Sequence, residues 1–567
     1  MSAYPRYPSR SVRSLNGVWD FAFLGGINAA DINVSQLEWN DRMAVPAAFD
    51  ATPRYAGMRG LAAYRIVVDV AQSRRMRLRF DAVSFWCRVF VDGRPCGPDH
   101  GCGYTPFHRD FETGAVEKCE VVVLVDNRFD PAAAPLHEIY YDFFQWGGII
   151  REVTLQTLPR QFLDDVQVRV ANLSSGEIEI QCMGGDRLDG SFPVEIAIDG
   201  QPAVAHNAEF SQGRAWIRTQ VPDAKTWSPQ SPCLHILDAR LGDDWVRVRF
   251  GLRTVSVRGT EILLNGEPLR LFGFNRHEAH GQTGPSLSDD LHVHDIHLLK
   301  KLGCNFVRGS HYPQDQRFLD LCDESGILVW EEALGWQQKE SHFTRESFRR
   351  AHDECLREMV SASFNHPSII FWGFLNEAQT DAPAAVPFLE DAARLVRELD
   401  PTRLLTFASN RPHSDLCLHA VDVISLNLYP GWYESEDVED PSDRILPGLR
   451  ETISALKSGP FSDKPVFLSE IGVEALPGWH DTMDGFYTEE FQARYLETVL
   501  REIRGDPRWA GLAIWHFADA RTYRGGRSIR RPRAYNNKGV FDEYRRPKLA
   551  ASVLGDLLRE CTGAPVP

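Results

Sequence analysis

The stretch Ile369-Ile370-Phe371-Trp372-Gly373-Phe374-Leu375 is apolar without a break and then stops on Asn376-Glu377. A strand covered on both faces reads this way, and such strands belong to parallel sheets flanked by helices. Seven further runs of the same kind surround it, at 269–274, 305–308 and 327–330 upstream and at 404–407, 423–427, 466–469 and 512–516 downstream. Amphipathic stretches of helical period lie between or after them, at Asp289–Leu302, 345–365, 389–399, 489–504 and 547–558. Eight such alternations within residues 257–567 predict a closed (β/α)8 TIM barrel as the C-terminal domain. A doubly wound open sheet would share the alternation, but no Gly-rich dinucleotide turn follows the first run.

Upstream the texture is different. Residues 1–160 carry short alternating runs, at 64–70, 76–80, 86–91 and 121–125, separated by Gly, Pro and Asp, which predicts a jelly-roll β-sandwich. Residues 161–256 continue with runs at 166–170, 177–181, 194–198, 215–219 and 246–252, the pattern of an immunoglobulin-like β-sandwich. Division is expected on size alone, because single cores stop growing at roughly 250–300 residues and this chain has 567.

A net charge of −16 speaks against nucleic acid or an anionic membrane as a partner. The first residues lack the apolar core of a signal peptide, and no later run is long enough to span a bilayer. Eleven Cys are scattered singly with no CxxC pair, as in a reducing compartment. These features predict a soluble, cytoplasmic protein. Fourteen Trp supply potential stacking platforms for sugars.

In a TIM barrel the active site lies at the C-terminal ends of the strands, so acidic residues that close apolar runs are the catalytic candidates. Glu377 closes the fourth run, and Glu470 closes Pro465-Val466-Phe467-Leu468-Ser469, the seventh. Breaking an acetal needs one protonated carboxyl on the leaving oxygen and one ionised carboxylate at the anomeric carbon; a pair about 5–5.5 Å apart gives double displacement with retention. For either Glu alone the competing explanation is an acidic residue at a helix N-terminus. Two at the correct strand ends, one preceded by Asn, favour chemistry.

Asn376-Glu377 and Ser469-Glu470-Ile471-Gly472-Val473-Glu474 resemble motifs of glycoside hydrolase family 2. Three further segments resemble family motifs in the family's order: Gly273-Phe274-Asn275-Arg276-His277-Glu278, Asn305-Phe306-Val307-Arg308-Gly309-Ser310-His311-Tyr312-Pro313 and Asn365-His366-Pro367-Ser368. Leu15-Asn16-Gly17-Val18-Trp19 and the sandwich, sandwich, barrel layout agree as well, so the resemblance spans nearly the whole chain. It implies a retaining exo-β-glycosidase with Glu377 as acid/base and Glu470 as nucleophile. It further implies that Asn376 hydrogen-bonds the sugar 2-hydroxyl, that Tyr429 orients the nucleophile and that Trp515 floors the sugar ring. His277 and His311 are expected to be sugar-facing or supporting polar groups; as isolated histidines they would more often be satisfied core residues. No metal or other cofactor is expected, and a homo-oligomer is.

Within the family, the β-glucuronidase branch grips the substrate's C6 carboxylate with an Asn-x-Lys pair, and Asn536-Asn537-Lys538-Gly539 is similar to it. Charge-assisted hydrogen bonds suit a carboxylate, whereas a neutral hexose would leave the Lys partly unpaired. Asp142, in Tyr141-Asp142-Phe143-Phe144, resembles the residue that reaches the sugar 4-hydroxyl, and Tyr433 resembles another sugar-facing position. The resemblance thus implies a β-glucuronide substrate, with a β-galacturonide as alternative and β-galactosidase or another neutral-sugar activity behind it. Residues 521–533 depart from the branch by carrying six Arg, expected either as a solvated loop or as a contact for a second uronate or another anion.

Two rival classes compete. His292, His294 and His297 invite a metal hydrolase, but on one helix His292 and His294 would point about 200° apart; metal analysis discriminates. A non-catalytic carbohydrate-binding protein would not need both Glu; hydrolysis of a chromogenic glycoside discriminates.

Overall fold

The computed structural model describes residues 3–130, 142–433, 441–523 and 531–564. The jelly-roll sandwich pairs a four-stranded antiparallel sheet (Val12–Ser14, Val153–Leu158, Arg75–Phe80, Phe107–Glu112) with a six-stranded one built around Gly17–Gly25, Leu61–Asp69 and Lys118–Asp126. Period-two alternation explains the central strand: Val121, Val123 and Val125 face the sandwich core with Trp19, Phe21 and Tyr64, while Val122 and Leu124 face a second apolar cluster with Phe90. The immunoglobulin-like sandwich follows, three strands (Leu163–Asn172, Glu177–Gly184, Arg214–Gln220) against four (Val204–Phe210, Gly190–Ile198, His235–Leu241, Asp244–Phe250).

The barrel strands are β1 (Leu271–Arg276), β2 (Phe306–Gly309), β3 (Leu328–Glu332), β4 (Ile369–Asn376), β5 (Leu404–Ser409), β6 (Ile424–Asn427), β7 (Val466–Glu470) and β8 (Trp509–Ile514), all parallel and closed from β8 back to β1. Gly373, the one gap in the apolar stretch of β4, is there because a Cβ would lie 2.0 Å from the Trp330 indole nitrogen. The first and last runs shift relative to the sequence reading. Residues 261–264 and 267–269 form an antiparallel flap, and its Ile262 and Leu264 cluster with Leu271, Phe306 and Phe371 of the barrel. The eighth strand begins at Trp509 because Trp509 and Ala510 are as buried as the rest of the run.

The outer helices are α1 (Asp289–Leu302), α2 (Gln316–Ser325), α3 (Glu346–Ser363), α4 (Ala385–Leu399), α5 (Ile445–Lys457), α6 (Glu489–Gly505) and α7 (Leu549–Thr562). α1 matches its expected range because Asp289 and Asp290 sit in its first turn, Lys300 and Lys301 in its last, and Gly303 ends it at φ +85. α2 and α5 went unread in the sequence: α2 is short and almost wholly buried, which leaves little polar face to mark its period.

Both sandwiches are fastened to the barrel by polar side chains. Asn365 mimics a strand, donating to Val166 O (2.7 Å) and accepting from Val168 N–H (2.8 Å). Trp227 donates to Asp323 O at the end of α2 (2.9 Å). Arg151, buried, donates to Tyr104 O in its own domain (2.7 Å), to Pro313 O after β2 (2.8 Å) and to Glu278 Oε1 after β1 (3.2 Å). This docks the 142–147 segment of the first domain at the barrel mouth, where Phe144 N–H donates to Arg521 O (2.7 Å) and Gln145 N–H to the Tyr523 hydroxyl (3.1 Å). Removing one partner of a buried ion pair costs about 3–5 kcal/mol. Arg151→Ala is therefore expected to destabilise this junction by that order, read as an earlier thermal unfolding transition; an unchanged transition would mean that the junction is held elsewhere.

Candidate active site

Arg308 on β2 is fully buried and spends all five of its N–H donors inside the barrel mouth. Nε donates to Glu332 Oε2 (2.7 Å), Nη1 to Glu470 Oε1 (2.7 Å) and Asn275 Oδ1 (3.0 Å), and Nη2 to Asn376 Oδ1 (2.8 Å) and Glu332 Oε1 (3.1 Å). The ends of β1, β2, β3, β4 and β7 are thereby tied to one cation. The second Glu470 oxygen accepts from the Tyr429 hydroxyl (2.7 Å), so both oxygens are held.

Glu377 follows β4 in a left-handed conformation (φ +51) that a non-glycine residue adopts only at a cost. Flanking backbone bonds hold it there, Glu377 N–H to Ala408 O (2.8 Å) and Gln337 N–H to Asn376 O (2.8 Å). Its carboxylate accepts from Asn427 Nδ2 (3.0 Å) and Gln337 Nε2 (3.0 Å). Asn376 Oδ1 is taken up by Arg308 and Asn427, while its Nδ2 is buried and has no protein partner. A buried amide donor left open beside two carboxylates is costly unless something outside the protein accepts from it.

These groups adjoin a cavity of about 980 Å³ whose wall includes Glu377, Glu470, Tyr429, His311 and Trp515 together with Asp142, Tyr433 and Arg531. Trp336, Asn410 and His413 line its outer part. Burial pushes the Glu470 carboxyl up to about 8, with Arg308 and Tyr429 pulling it down and Glu377 pushing the same way as burial. Burial likewise raises Glu332 to about 7, against Arg308, and drives His311 and His277 well below the ordinary histidine value.

Of the residues singled out in the sequence, Asp142, His311, Glu377, Tyr429, Tyr433, Glu470 and Trp515 form the cavity wall. His311 stacks on Trp515 (ring centroids 5.1 Å apart) and places Nδ1 3.0 Å from Glu332 Oε1. His277 sits behind the wall, edge-on to Trp515, with Nδ1 3.3 Å from the Tyr312 hydroxyl. Asn536 and Lys538 also lie behind it: Asn536 Nδ2 donates to Asp142 Oδ2 (3.3 Å), and Lys538 Nζ donates to the Tyr433 hydroxyl (3.1 Å), with Glu474 Oε1 3.5 Å away.

The sequence reading gave Arg531 no role of its own within the basic run. Its guanidinium chelates Asp142 (3.0 and 2.6 Å), bonds Glu474 and reaches the Tyr433 hydroxyl (3.3 Å). Arg521 stacks over Phe144 and Arg533 pairs with Glu543 (3.0 Å), so these three arginines are tied into the protein and are not a solvated run. The other three, within 524–530, lie outside the described residues, as does Tyr141. The acidic Glu474, four residues beyond Glu470, was the available signal that a cation must return to this point.

Among the described residues Asp320, Asp323 and His366 form one of three groups able to gather round a metal, none of which lines the cavity. Among the described residues no helix is long and apolar enough to cross a membrane.

Residues 255–560 match the TIM barrel domain of glycosyl hydrolases family 2. A crystal structure of a GH2 β-galacturonidase from Eisenbergiella tayi bound to galacturonate is 32% identical, covers 99% of this chain and 98% of its own, and superposes with a TM-score of 0.89. The Bifidobacterium dentium β-glucuronidase complexed with coumarin-3-O-glucuronide is 28% identical over 97% of both chains, with a TM-score of 0.88. The β-glucuronidase of Mus musculus is 28% identical over 96% of this chain and 90% of its own length.

A hydrogen bond to a charged group is worth about 1.5–3 kcal/mol, or roughly 1–2 pH units. Tyr429→Phe removes such a bond from ionised Glu470, so its carboxyl should titrate about 1–2 units higher than in the wild type, observed by difference infrared spectroscopy with Glu470→Gln to identify the band. A shift to lower pH would contradict the arrangement.

Proposed function

This chain belongs to glycosyl hydrolase family 2, and within that family we propose that it is an exo-acting, retaining β-hexuronidase. It removes a terminal β-D-glucuronic acid, or its C4 epimer galacturonic acid, from a glycoside. The observation that carries the uronic acid is the convergence of two cations on one oxygen: Lys538 Nζ and Arg531 Nη2 lie 3.1 and 3.3 Å from the Tyr433 hydroxyl. An oxygen so placed is better supplied by a carboxylate than by a phenol. The relatives that act on glucuronides and on a galacturonide support the same class.

In this reading the sugar enters the cavity with C6 toward Tyr433 and its 4-hydroxyl toward Asp142. Glu470 attacks the anomeric carbon as Glu377 gives its proton to the leaving oxygen, and the C1–O bond breaks. Water then adds to C1 with Glu377 as base, and Glu470 departs as carboxylate. The open Nδ2 of Asn376 donates to the 2-hydroxyl, a bond that strengthens in the transition state. Arg308 and Tyr429 keep Glu470 oriented and favour its ionised form. The unpaired cysteines support a cytoplasmic setting, and a homo-oligomer is retained from the family resemblance.

Each of Glu377→Ala and Glu470→Ala is expected to lose most turnover while staying folded. Azide should give a β-glycosyl azide with the first, by attacking the glycosyl-enzyme, and an α-product with the second, by filling the hole; reversed anomers would reverse the two roles. Lys538→Ala should cost about 2–5 kcal/mol, a fall of roughly thirtyfold to several thousandfold in kcat/KM on an aryl uronide. Asn536→Ala should cost less, about 1–3 kcal/mol. Activity on the matching neutral glycoside should be low and unaltered in Lys538→Ala; equal losses on both substrates would remove the uronide reading and leave the two Glu untouched.

A further inference from the structure

Where the jelly-roll sandwich meets α3, His100, Cys102 and Glu358 bring an imidazole nitrogen, a thiol sulfur and a carboxylate oxygen within 4.8 Å of one another. Cys355, one turn before Glu358 on the same face of α3, is the neighbour that, together with burial, holds the Cys102 thiol well above the ordinary thiol range. His100 is 2% exposed and Cys102 and Cys355 are each 1% exposed, while the Glu358 side chain is 23% exposed and forms the rim of the cluster between the two domains. His100 Nε2 lies 3.0 Å from Glu358 Oε2, the Thr105 hydroxyl also donates to Glu358, and His100 Nδ1 is buried with no partner.

We propose that His100, Cys102, Cys355 and Glu358 bind a single zinc ion that staples the first domain to the barrel. Nitrogen, thiolate and carboxylate are the donor types that zinc takes, commonly four in a tetrahedron. At zinc–ligand distances near 2.0–2.3 Å the ligand atoms would stand roughly 3.3–3.8 Å apart, so the His100, Cys102 and Glu358 atoms are already near that spacing and Cys355 would move in to complete the set. Charge separates this cluster from two others of similar composition. Glu278, His292 and Asp315 already hold Arg151 (3.1 Å from Glu278), and Asp320, Asp323 and His366 already hold Arg249 (2.8 Å from Asp320). Among the described residues Glu358 has no lysine or arginine partner, and its one ion pair is with His100. An arginine therefore supplies the cation at two clusters, whereas at this one the carboxylate faces only an imidazole. On binding, each thiol releases its proton to solvent, so uptake strengthens as pH rises.

The test is zinc chloride added to full-length enzyme that has been chelator-treated and dialysed, with bound metal counted by plasma emission. About one equivalent should remain after gel filtration, and cobalt in its place should show a thiolate charge-transfer band. Thermal unfolding should move upward with zinc. Glu358→Gln is nearly isosteric and keeps the junction packed; it should weaken zinc at least about tenfold, Cys102→Ala should roughly halve the cobalt band, and Cys102→Ala with Cys355→Ala should abolish it. No stoichiometric zinc in the wild type would overturn the proposal. So would unchanged binding in all three variants, which would put the metal on the partly exposed Cys233 or Cys561.

Discussion

The barrel mouth depends on one buried guanidinium. A charge in the interior is tolerated only when its donors are matched, and Arg308 meets an acceptor at every N–H, drawn from four other strands. The ring of Trp330 lies beneath it, 4.5 Å from its carbon to the centroid. Because the acceptors are strand-end side chains, the positions of Glu470 and Asn376 are set by the same bonds that neutralise the cation. Burial holds both Glu332 and Glu470 above the usual carboxylate range, and Arg308, shared between them, pulls each back down.

The opposite wall is organised differently. Asp142, Arg531, Glu474, Lys538 and Tyr433 form a chain of alternating charge whose members come from the first domain, from the segment after β7, and from loops that follow β6 and β8. Its cations point toward the cavity through a partly exposed tyrosine, whereas those of the inner site point only at protein. One wall fixes the reacting groups; the other presents charge to whatever enters.

Much of this was legible in the residue order. The uninterrupted apolar runs of β4 and β7 and their terminal carboxylates carried both the barrel and the two Glu, because a doubly covered strand leaves no other pattern. Tyr429 and Trp515 came through the family resemblance and do border the cavity. What stayed hidden was pairing over long separations. Arg308 meets Glu470 across 162 residues and Arg531 meets Asp142 across 389, and nothing local distinguishes such an arginine from one on a solvated surface. The burial of Asn536 and Lys538 behind the wall was hidden for the same reason: it follows from which partners Asp142 and Tyr433 hold. Of the flap at 255–269 only Leu269 was read, as the start of the first strand, because its apolar residues also face a core.

The division between the two walls bears on how such an enzyme diversifies. All five groups in the charged chain sit in connecting segments, where insertions and replacements disturb no strand. The inner network has no such freedom, since losing any one acceptor strands a buried donor. Change is thus steered outward: the charged chain can be exchanged while the inner network is inherited intact. A single scaffold can in this way seed a set of enzymes that differ in diet and not in chemistry.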